Sequence, residues 1–263
     1  MGLLNEYNVS VKYYTKLSQF RSLMNQGISS EESLRIWGKD FSRGKGVRNE
    51  NKSLEKKIKI AKQSLSVLLM FNLVKFIGIS GSVGSGFAKE EDDIDIFVVT
   101  RDGTMWLYRA LVQVRNVFHR KIRLKEEEDV KDKLCLNLIA EERGLTFDSD
   151  IFNFNELMYL IPIYNEKYLK YIYSQNEWLS KKYGMKEENM ITDIKPQKQV
   201  NLLFRILNTL LYLFQLIYMK LARHRPDIER IHENSKRGRI EFFPKRFRER
   251  KIKNYLKEFK SIN

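Results

Sequence analysis

The sequence predicts an α/β fold (α+β in detail), a mixed sheet with flanking helices followed by a helical C-terminal region. Short apolar runs at Val74–Ile79, Ile94–Thr100 and Lys133–Ala140 read as buried strands. Segments with apolar residues at helical spacing separate and follow them. Hydrophobic residues make up 43% of the chain and charged residues 31%, a balance that excludes wholesale disorder.

Residues 1–52 read as a helical appendage and linker. Residues 13–24 and 29–41 suit two short helices around Gly27, a pair that more often packs than reads DNA. Residues 42–53, SRGKGVRNENKS, have no apolar period and read as an exposed loop. Residues 53–150 read as the core. Ser53 can cap a helix over 54–72, in which Leu54, Ile58, Ala61, Leu65 and Leu68 recur at helical spacing. The strand Val74–Ile79 leads into a small-residue loop, Ser80 to Gly86, and an acidic run, Glu90 to Asp93. The second strand, Ile94–Thr100, carries Asp95 inside it. Residues 105–118 suit a helix, 133–140 a third strand and 145–147 a short fourth. From Asn153 the chain reads as helical to its end, so 151–263 form a basic helical C-terminal region.

Lys plus Arg total 48 against 33 acids, a net charge of +15. Such a chain suits an anionic partner: nucleic acid, nucleotide or acidic membrane surface. Between Lys220 and Lys260 there are fifteen basic residues and six acidic ones, interleaved with Phe242, Phe243, Phe247 and Tyr255. Charge that tracks phosphate and rings that stack on bases suit RNA; a solvated amphipathic helix is the plainer reading. The single cysteine, Cys135, excludes an internal disulfide and argues against a Cys-based zinc site. With no basic region and apolar run at its start, the chain is expected to be cytoplasmic. Residues 200–222 have the length of a membrane span, but Arg205, Asn208 and Gln215 interrupt them. The expectation is the core helix of a helical subdomain, with membrane association the alternative.

Residues 76–100, FIGISGSVGSGFAKEEDDIDIFVVT, carry the chemistry. Gly81 and Gly86 have the separation of a P-loop, but Phe87 and Ala88 stand where its lysine and hydroxyl residue belong. The dinucleotide glycine pattern does not fit either. What remains is a strand, Gly81-Ser82, a ten-residue spacer, and Asp93-Ile94-Asp95 entering a strand. Side chains alternate along a strand, so Asp93 and Asp95 share a face while Ile94 and Ile96 point into the core. Two adjacent carboxylates repel unless a cation lies between them, and hard oxygen ligands suit Mg²⁺. Glycine lets the backbone approach a triphosphate closely.

The pattern GS-x10-DID between hydrophobic strands resembles the nucleotidyltransferase superfamily of DNA polymerase β, over roughly residues 54–147. The resemblance implies that Gly81 and Ser82 hold an NTP such as ATP, and that Asp93 and Asp95 are catalytic and bind Mg²⁺ or Mn²⁺. The implied reaction is in-line transfer of an NMP to a hydroxyl acceptor. RNA is slightly favoured as acceptor, with a protein or a small molecule the other options. The superfamily usually has a third carboxylate on a neighbouring strand. Asn137 stands at the matching position here, and Glu141, Asp148 or Asp150 could substitute. Without a substitute, the expectation becomes a weak or inactive member acting as a nucleic-acid-binding or regulatory module.

Overall fold

The computed structural model describes residues 47–69, 72–84, 88–123, 129–183, 185, 189–194, 200–221, 228–241 and 246–251. The helices expected at 13–24 and 29–41 lie outside them.

Helix α1 (Val47–Gln63) and the short α2 (Leu65–Leu68) lead into strand β1 (Val74–Ile79). A four-residue helical turn, α3 (Gly81–Gly84), and a loop connect β1 to β2 (Ile94–Thr100). Helix α4 (Met105–His119) crosses over to β3 (Leu134–Glu141). Next come α5 (Ile151–Met158), β4 (Ile161–Tyr164), α6 (Tyr168–Ser174) and α7 (Trp178–Tyr183). The long α8 (Leu202–Leu221), α9 (Ile228–Lys236) and β5 (Arg239–Glu241) follow.

The five strands form one sheet in the order β4-β1-β2-β3-β5. Strands β2 and β3 are parallel and the other neighbours antiparallel, as the mixed-sheet expectation requires. Alternation along β2 divides the core. Ile94, Ile96 and Val98 pack with Ala61, Leu68, Tyr108 and Val112 on one face. Phe97 and Val99 pack with Phe154, Leu157, Ile172 and Leu179 on the other. Asp95 alternates onto this second face.

Four expectations change. Of the loop expected over 42–53, residues 42–46 lie outside the described residues and the rest is helical from Val47; Arg48, Glu50 and Lys52 are good helix formers, and such residues extend a helix without an apolar period. Residues 145–147 are not a strand. Asn176 Nδ2 donates to the Leu145 carbonyl at 2.8 Å, and the Phe147 N–H donates to Asn176 Oδ1 at 2.8 Å. A side chain thus replaces a strand partner. The chain is not helical throughout after Asn153, because β4 and β5 close the two sheet edges. Pro162 in β4 is tolerated because an edge strand has one unpaired side.

The fourth change concerns α8. Its buried residues are Asn208 and Met219, while Leu210, Phe214 and Ile217 are 58%, 68% and 58% exposed. It packs on α4 and α9 rather than on the sheet. The sheet face is already covered by α1, α2 and α4, so a helix added outside them buries one narrow side. Asn208 Oδ1 accepts from the Trp106 and Leu107 N–H groups at 2.8 and 3.1 Å. Tyr212 lies beside Trp106, with ring centroids 5.2 Å apart.

Candidate functional site

Asp93 immediately precedes β2 and Asp95 lies one residue inside it. Behind them, the Ser80 N–H donates to the Asp95 carbonyl at 2.9 Å and fixes the end of β1 against the start of β2. The chain then turns at Gly81, whose φ is +62°. A Cβ there would stand 2.0 Å from Asp95 Oδ2. Glycine is required twice over, for the left-handed backbone and for the space its missing side chain gives the carboxylate.

The spacer is held from both sides. Ser82 Oγ donates to Asp92 Oδ2 at 3.0 Å, and the Lys89 N–H donates to the same oxygen at 2.9 Å. The fully buried Lys57 of α1 donates to the Glu90 and Asp92 carbonyls and to Asp132 Oδ1, at 3.1, 2.6 and 2.9 Å. Buried donors satisfied in this way fix a loop whose apolar anchors are the small side chains of Val83 and Ala88.

Charge is concentrated around the aspartates. Arg123 donates to Asp93 Oδ2 at 2.7 Å. Asn137 Nδ2 donates to Asp95 Oδ1, and the Cys135 thiol donates to Asn137 Oδ1 at 3.0 Å. Burial, then the neighbouring Asp93 and Glu156 carboxylates, push Asp95 up to about 8. Burial with Asp95 and Asp93 nearby pushes the Cys135 thiol up to about 12. Ligand atoms of Asp93, Asp95 and Cys135 all lie within 4.8 Å of one another. The donor set fits a divalent ion, since a cation lets both carboxylates stay ionised. The protonated thiol is a poor ligand for a hard cation, so the two carboxylates carry that fit.

The third-position candidates fall in different places. Asn137 lies beside Asp95. Glu141, at the far end of β3, is fully buried and accepts from the Thr104 and Met105 N–H groups at 3.0 and 3.3 Å and from Arg143 at 2.8 Å. Its carboxylate caps the start of α4 and is not gathered with the pair. Asp148 and Asp150 pair with Arg248.

Sequence reasoning missed Glu156. From α5 its carboxylate accepts from the Ser80 hydroxyl and the Gly81 N–H, and burial pushes it up to about 7 despite them. It therefore occupies one of the loop's backbone donors. A signal existed: Phe152, Glu156 and Tyr159 share one helical stripe, and both aromatics are buried. Lys57 stands in the same way between Leu54 and Ala61. An ionisable residue on an apolar stripe marks a buried polar contact.

Strand, glycine turn, braced spacer and paired aspartates on the next strand form one continuous unit. No curated protein and no solved structure matches the chain. The family model described as the nucleotidyltransferase domain matches residues 54–202, from the middle of α1 to the first residue of α8. That span covers more than half of the 263 residues and includes the loop, both aspartates and Glu156, so the chain belongs to the nucleotidyltransferase domain family.

Proposed function

We propose that the protein transfers an NMP from an NTP to a hydroxyl acceptor in a metal-dependent reaction. The observation that carries this reading is the contact between Gly81 and Asp95. The missing Cβ lets the loop backbone and the carboxylate lie against each other, so that phosphate and metal ligands converge. Asp93 and Asp95 would hold Mg²⁺ or Mn²⁺. Bound there, the ion would supply Lewis-acid stabilisation of charge on the phosphates and lower the pKa of the acceptor hydroxyl. Gly81 and Ser82 would position the triphosphate, Ser82 exchanging its bond to Asp92 for one to phosphate. Asn137 orients Asp95 by donating to it, and Arg123 neutralises Asp93 until the ion arrives. The basic C-terminal region favours RNA as acceptor.

A specific observation favours a second reading, a weak or inactive member that binds nucleotide or nucleic acid. Asn137 replaces a carboxylate beside Asp95, and asparagine takes no proton from an acceptor.

The test offers each α-labelled NTP with Mg²⁺ or Mn²⁺ and, separately, total RNA, a protein lysate and small hydroxyl compounds. Label appearing on one pool, and lost in Asp93→Asn/Asp95→Asn, supports the enzyme and identifies its acceptor class. Metal-dependent nucleotide binding without transfer to any pool supports the second reading. Absence of nucleotide binding overturns the enzyme, and absence of both nucleotide and RNA binding overturns both readings.

A further inference from the structure

The outward face of α8 is apolar from end to end. Leu203, Leu207, Leu210, Phe214, Ile217 and Leu221 recur at alternating spacings of four and three along it, each at least 40% exposed. At 100° per residue they and their exposed neighbours Ile206 and Leu213 span an arc of about 120°. Between Arg205 and Lys220 the helix carries no Asp, Glu, Lys or Arg. The helix on which it packs, α4, also exposes Val114, Val117 and Phe118, by 61%, 70% and 81%. A patch on this scale marks an interaction surface rather than ordinary surface variation.

We propose that this face seats the protein on an anionic lipid bilayer, with α8 lying in the plane of the interface. Length alone would allow α8 to span a bilayer. Its inner side argues for lying on the surface: Asn208 bonds two backbone N–H groups of α4, and Met219 is buried in the core with Tyr212 against it. Lipid is favoured over a second copy for two reasons. A two-helix seam covers a narrow stripe and keeps charges on its flanks, whereas the flanking Ile206 and Leu213 here are also exposed and apolar. Charge also discriminates. The net +15 repels another copy and attracts an anionic surface. Lys220 stands in the last turn of α8, and Arg223 and Arg225 follow it in sequence. An apolar helix followed in sequence by basic residues is the pattern of interfacial helices.

The experiment floats the purified full chain with vesicles of phosphatidylcholine alone or with phosphatidylserine, at low and high salt. Sedimentation velocity without lipid runs in parallel. The expected result is a monomer that floats with phosphatidylserine vesicles and is only partly released by salt. Leu207→Glu/Phe214→Glu places charges on exposed positions, so melting and nucleotide binding should persist while vesicle partitioning falls at least about thirtyfold. The milder Leu210→Asn/Ile217→Asn should show an intermediate loss. Three results overturn the proposal. One is a lipid-independent dimer that the substitutions dissociate, with no flotation, which would assign the face to a second copy. Another is flotation abolished by salt and indifferent to the substitutions, which would assign binding to the basic residues alone. The last is a monomer that ignores both vesicle types.

Discussion

Replacing Gly81 by alanine adds one carbon where the structure leaves no space for it. That carbon would stand 2.0 Å from Asp95 Oδ2 and 2.9 Å from its Cγ. A carbon and an oxygen approach to about 3.3 Å, so the carboxylate must retreat by about 1.3 Å. The backbone φ of +62° adds a strain of roughly 1–2 kcal/mol for any residue with a Cβ. Gly103 separates these two effects. Its φ is +74°, but an added Cβ there meets the flexible Arg205 side chain at 3.2 Å. Gly103→Ala should lose about 1–2 kcal/mol in urea unfolding, and Gly81→Ala should lose more because the buried carboxylate must also shift. Gly81→Ala alone should weaken Mn²⁺ binding, read by titration, and should lower NMP transfer about a hundredfold, as an ångström-scale misplacement of a reacting group does. Equal metal affinity and equal transfer in the two variants would refute the claim that Gly81 exists to make room for Asp95.

Burial holds the Glu156 carboxyl up at about 7, above its ordinary value near 4.5. Its contribution to stability is therefore complete below about pH 4.5 and is lost as pH rises through about 7. Glu156→Gln, in the presence of chelator, should flatten the fall in unfolding free energy across that window; an unchanged slope contradicts the assignment. Asn137→Asp places a third carboxylate beside Asp95, so the chelated protein should melt lower while Mn²⁺ binds at least about tenfold tighter. No change in either quantity would show that position 137 does not face the ion. Asn208→Leu leaves the Trp106 and Leu107 N–H groups without their acceptor and should cost about 1–3 kcal/mol in urea unfolding; a loss well under that range would mean that water replaces the side chain.

The central strands were legible because each is a continuous apolar run. Residues 74–79 and 94–100 fall where they were expected, and β3 lies within a residue of it. The edge strands were not. β4 contains proline, and β5 is three residues long with a charge at either end, so neither carries a periodic signal. Asp93 and Asp95 could be placed on one face from alternation alone. The contacts that brace them come from distant elements: Lys57 from α1, Asn137 from β3 and Glu156 from α5. Such partners are set by tertiary packing, and only an odd residue on an apolar stripe hints at them. Periodicity also found α8 but not its exposure, because a helix apolar on nearly every side does not reveal which side the domain covers.

The first turn of α4 has its backbone donors taken by two side chains from elsewhere. Glu141 takes Thr104 and Met105, and Asn208 takes Trp106 and Leu107. A helix start satisfied in this way is no longer available to an outside anion. It also ties two elements together. The strand that carries Asp95 reaches this turn through Arg101, Asp102 and Gly103, and α8 is latched to it through Asn208. Tilting α8 away from the domain would break both bonds at once and uncover the buried Met219. The placement of α8 on the domain is thereby held by the polar bonds of Asn208 together with the packing of Tyr212 and Met219.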